Sequence, residues 1–65
     1  MDESILELRP RVAESMRRFG GGFVSALGEA LARADSDNTR RIAEAFPEYW
    51  AKYLDLYNER IAKEE

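Results

Sequence analysis

Apolar residues return at steps of three and four along almost the whole chain, and no stretch alternates as a half-buried strand would. That spacing places them on one side of an α-helix, because 3.6 residues complete a turn. The chain is therefore expected to be all-α. Three interruptions divide the pattern: the run Gly20, Gly21 and Gly22, the step at Asp35, and Pro47. They imply a small bundle of about three to four helices in one domain over residues 1–65.

Each segment has its own signals. Ser4 and Glu7 stand at the spacing of a capping box, and Ile5, Leu8, Val12, Met16 and Phe19 follow at helical steps. Pro10 lacks a backbone N–H and biases Arg9 away from helical angles. It either starts a helix or kinks one. The reading favoured here is a helix from about 10 to 18, with residues 3 to 8 as a helical lead-in. Gly20 is expected to end that helix in left-handed geometry, while Gly21 and Gly22 allow a sharp turn. Asp35 is an N-cap for a helix reaching about Ala45 that buries Ile42 and Phe46. Pro47 suits the first position of the last helix. Trp50, Tyr53, Leu54, Tyr57 and Ile61 form its core stripe as far as about Lys63, with Glu48, Lys52, Asp55, Glu59 and Lys63 opposite.

The segment from about 23 to 34 has little polar surface. Leu27, Ala30, Leu31 and Ala34 fall within about 80° of Phe23 on a helical wheel. On the other side Gly21, Ser25, Gly28 and Ala32 make a stripe of small side chains spaced four, three and four. Only Glu29 and Arg33 mark a solvent edge. A helix of this kind is buried. A glycine inside it costs about 1 kcal/mol relative to alanine, which close packing would explain. The large side is expected to face the C-terminal helix and the small stripe to receive a second subunit, most simply in a C2 dimer.

Composition supports association and disfavours chemistry. A chain of 65 residues is marginal alone, and with no cysteine it has no disulfide to staple it. Histidine is absent too, which removes the commonest metal ligand and general base. No carboxylate pair is forced together by spacing. An enzyme, a cofactor and a metal site are therefore not expected. No apolar run approaches the roughly 18 residues that span a membrane. The opening MDESILEL is acidic and unlike a signal peptide, so a cytoplasmic protein is expected.

Charge is unevenly spread. Net charge is −3 overall, yet residues 9–41 are net positive and all their cations are arginines. Arg9, Arg11, Arg17, Arg18, Arg40 and Arg41 are candidate contacts to an acidic partner, with Tyr49 and Leu56 off the central stripe as apolar ones. Gly20, Gly21 and Gly22, with Arg17 and Arg18 just before them, could instead cradle a phosphate at a helix start. They lack the spacing, the lysine and the preceding strand of a P-loop. The positive block is too slight for the footprint of a nucleic-acid binder, so that reading ranks third.

Residues 19–53, FGGGFVSALGEALARADSDNTRRIAEAFPEYWAKY, carry an aromatic–glycine pair, a helix ending in ADSDN and the run AFPEYW. In these features the segment resembles a group of small phage and prophage proteins of unknown function. Proline commonly follows the aspartate of that AD step; here Ser36 does. The resemblance implies a phage-related setting in the cytoplasm of a host cell. Small phage proteins often act by occupying host factors, immune effectors included. The leading expectation is thus an inhibitor or adaptor that binds a host protein, and the runner-up is an oligomer that sequesters a nucleotide.

Overall fold

A computed structural model describes residues 2–64 of the chain. Helix α1 spans Asp2–Phe19, α2 Gly22–Ala32, α3 Ser36–Ala45 and α4 Pro47–Leu56. One wide π turn, Tyr57–Ile61, and a 3-10 turn, Ala62–Glu64, continue α4. No strand occurs among the described residues. The radius of gyration is 10.7 Å, about that of a closed globule of this length.

The N-terminal segment departs from the expected division at Pro10. α1 is continuous through it and already includes Asp2, so Ser4 lies inside the helix rather than capping it. Pro10 is exposed. On that side water can serve the Leu6 carbonyl that loses its usual donor, which lets the helix run on. The Gly20 expectation is also corrected. No described residue has a positive φ, so Gly20 is not a left-handed cap. It is small because it is crowded: a Cβ there would lie 2.6 Å from both the Met16 carbonyl oxygen and Val24 Cγ1.

The later boundaries agree with the sequence. Asp35 caps α3, its Oδ1 accepting from the Asn38 N–H at 2.9 Å. Pro47 opens α4, where a missing N–H removes no intrahelical bond. Removing a cap of this type costs about 1 kcal/mol. Asp35→Ala is therefore expected to lower the melting temperature by about 4–8 °C. Thermal unfolding followed by circular dichroism measures it, and an unchanged midpoint would mean that the bond is idle.

The core lies where α1 crosses the other helices. Val12, Ala13 and Met16 of α1 meet Val24, Gly28 and Leu31 of α2 and Tyr53 of α4, and Thr39 of α3 is buried as well. The π turn carries Ile61 into a buried position and sets the Arg60 guanidinium over the Phe19 ring. Trp50 and Leu54 pack against this core while half-buried. Ile42 and Phe46 are likewise half-buried, and the residue of α3 that is fully covered is Thr39.

α2 is rotated from its expected orientation. Val24, Gly28 and Leu31 point inward, whereas Phe23 is 61% exposed and Ala30 is exposed. Of the small stripe, Gly28 meets α1 of the same chain, Ser25 is half-buried, and Gly21 and Ala32 are exposed. A Cβ on Gly28 would lie 2.7 Å from Met16 Cβ and 2.9 Å from the Ala13 carbonyl oxygen. Gly28 is thus the close-packing glycine that its cost in a helix implied. The neighbour is the chain's own first helix, in the place reserved above for a second subunit.

Candidate protein-binding face

Phe23 ends a row of aromatic rings. Its ring centroid lies 6.0 Å from that of Phe46, edge to face, and 6.4 Å from that of Tyr49. Phe46 and Tyr49 stack at 5.7 Å, and Tyr49 meets Tyr53 edge-on at 6.4 Å. The row therefore runs from the buried Tyr53 to the surface at Phe23. Such contacts hold rings in place with about 0.5–1.5 kcal/mol each beyond their burial. Phe23 is thus an apolar side chain presented to solvent by a packed support.

Phe46 also borders a groove of about 480 Å³ between α2 and α3. Ala30 and Ala34 line one wall, and Ile42 and Ala45 line the other. Asn38 also lines it, and Arg33 and Arg41 supply its charge. Among the described residues, the ionisable groups lining this groove are both arginines. Neither Arg33 nor Arg41 takes part in an ion pair among the described residues. Phe23, the groove and these arginines form one continuous face.

The other arginines nominated from sequence are dispersed or engaged. Arg9 Nη1 donates to the Ala34 carbonyl at 2.6 Å, tying α1 to the α2–α3 turn. Arg17 pairs with Glu29 at 3.7 Å. Arg18 reaches Glu14 at 3.6 Å and Glu64 at 3.2 Å, with its guanidinium over the Phe19 ring. Arg40 pairs with Asp37 at 3.3 Å. Arg11 is exposed on α1. Of the six, only Arg41 borders the apolar groove. Leu56 packs half-buried against the core, while Tyr49 lies in the aromatic row.

A second groove, of about 640 Å³, runs between α1 and α2. Its wall includes Arg9, Arg17 and Arg18, but also Glu14 and Glu29. Ser25 and Ala32 of the small stripe lie along it. Gly21 and Gly22 are exposed at the start of α2, and Gly21 has ordinary extended angles, φ −72 and ψ −167. Arg17 and Arg18, the arginines expected to join these glycines around a phosphate, pair with Glu29, Glu14 and Glu64. No described helix is long and apolar enough to cross a membrane.

Two contributors to the face were missed in sequence. Phe23 stands at the centre of the side of α2 expected to be buried, yet it is exposed. Arg33 is exposed, as its place at the solvent edge implies, and also lines the groove. The available signal was Gly28 between Val24 and Leu31 at spacings of four and three, which centres the buried side on the glycine. Comparison with protein-family models, curated proteins and solved structures finds no match to the chain.

Proposed function

We propose that the protein is a small binding module that acts by occupying a surface of another protein. The observation that carries this reading is Phe23, 61% exposed yet held by Phe46 and Tyr49 beside an apolar groove. An aromatic anchor with an adjoining apolar surface and arginine at its edge has the composition of an interaction hot spot. Burying the ring against a partner removes apolar area from water at about 25 cal/mol per Å². The resemblance of residues 19–53 to small phage proteins supplies the proposed setting, a host protein in a bacterial cytoplasm. Inhibition or adaptation by steric occlusion needs no catalytic group, which suits a chain without histidine or cysteine.

Affinity capture from bacterial lysate tests the reading, with the intact chain and Phe23→Ser compared side by side. The expected outcome is a stoichiometric protein retained by the intact chain and lost with Phe23→Ser. Phe23→Ser should keep the helical circular dichroism spectrum, since the substitution falls at the surface. Equal retention by both chains, or no specific retention by either, rejects the proposal.

A further inference from the structure

We infer that the groove between α2 and α3 receives an acidic amphipathic helix of the partner protein. This rests on the protein-binding reading above and names the chemistry of the bound segment.

The shape of the groove follows from its two walls. Ala30 lies in the last turn of α2, Arg33 and Ala34 in the turn that follows it, and Asn38, Arg41, Ile42 and Ala45 recur at helical steps on α3, with Phe46 at its C-cap. The α3 wall is therefore one stripe of a helix, and with Ala30 and the α2–α3 turn it makes a cleft along which a further helix can lay its own stripe. From Asn38 to Phe46 the α3 wall is about 12 Å long at 1.5 Å per residue. Phe23 lengthens the apolar track beyond Phe46. A segment of roughly three turns, with apolar anchors at i, i+3, i+4 and i+7, matches that length.

Charge selects the occupant. The chain is net −3, but the ionisable groups on this groove are Arg33 and Arg41, both exposed. Carboxylates flanking the apolar stripe of the incoming helix would meet these guanidiniums, which suit planar bidentate contacts. The same arrangement opposes a second copy of this chain. A two-fold contact across the groove would bring four arginines together without a carboxylate from its walls. Like charges juxtaposed in an interface suppress that pairing.

The test uses a synthetic, fluorophore-labelled helical peptide of roughly fourteen residues, with leucines at i, i+3, i+4 and i+7 and glutamates beside them. Its counterpart carries lysine at each glutamate. Fluorescence anisotropy with the full chain at moderate salt should show the glutamate peptide binding at least about tenfold tighter than the lysine peptide. Arg33→Glu combined with Arg41→Glu should invert that preference. Arg33→Gln with Arg41→Gln should abolish it while keeping the fold, and Lys63→Glu, on the exposed C-terminal turn, should leave it unchanged.

Equal affinity for the two peptides, or no binding of either, overturns the inference. So does a preference that survives the double reversal. Binding to phosphatidylglycerol vesicles in place of the peptides would assign the face to an anionic membrane. A solution mass of twice the monomer that falls on Phe23→Ser would assign it to a second copy. Either result also overturns the inference. A cellular partner lost with Phe23→Ser, combined with no charge preference among the peptides, would sink the acidic helix and leave the binding module standing.

Discussion

Gly28→Leu is expected to abolish the cooperative unfolding transition of this protein. The site has no room for even one carbon. A Cβ would come within 2.7 Å of Met16 Cβ and 2.9 Å of the Ala13 carbonyl oxygen. The second of these is main chain of α1, so relief requires the two helices to separate. Forced overpacking of a filled core typically costs about 1–3 kcal/mol for added methylenes, and leucine adds four carbons. A domain of this length has only about 3–10 kcal/mol of total stability. Gly28→Ala is the graded version. Alanine gains about 1 kcal/mol in helix propensity, and the clash outweighs it, so a net loss of about 1–2 kcal/mol is expected.

Gly22→Ala should do the opposite. Nothing lies within 4 Å of a Cβ built there, and the residue is the first of α2. The substitution should raise the melting temperature, by up to about 1 kcal/mol in stability. Two glycines six positions apart, in the same helix, should thus respond with opposite signs. Thermal unfolding of the three variants measures this, and a well-folded Gly28→Leu chain would show that α1 and α2 do not meet as described.

Leu31→Ala should bring the chain close to its unfolding threshold. Leu31 is fully buried, with Val12 and Met16 of α1 in the same core. Truncating a buried leucine costs about 2–5 kcal/mol, which combines the lost transfer energy with the cavity left behind. In a larger domain neighbours would absorb part of that loss; here it is a large share of the whole. Chemical denaturation should show the midpoint collapsing with the slope unchanged. A loss under about 1 kcal/mol would mean that Leu31 is solvated. Phe23→Ser provides the contrast within the same helix, because a residue 61% exposed has little cavity to leave.

The candidate face was only partly readable before the fold. Arg41 and Tyr49 were nominated from sequence and lie on it. Arg9 and Arg17 looked equivalent to Arg41 in a list of charges, yet folding brings them a carbonyl and a carboxylate, while Arg40 and Arg18 also have the local helix partners Asp37 and Glu14 at i,i+3 and i,i+4. Arg18 meets Glu64 across 46 positions of chain, a pairing that no local spacing encodes. An arginine is most available to a partner where the tertiary structure gives it no internal acid, and among the described residues Arg33 and Arg41 have none.

What the sequence by itself determined is local. The cap at Asp35 and the start at Pro47 follow from groups within one turn of each other, as does the all-helical character of the chain. Gly28 announced a close contact because its cost in a helix needed a reason. Tertiary structure alone decided which helix makes that contact and which side of α2 meets water. α2 is apolar around most of its circumference, so its own pattern stabilises several rotations about equally. The choice fell to α1, whose Ala13 and Met16 approach closely only where α2 has no side chain. Once Gly28 faces α1, the geometry of the helix turns Phe23 outward.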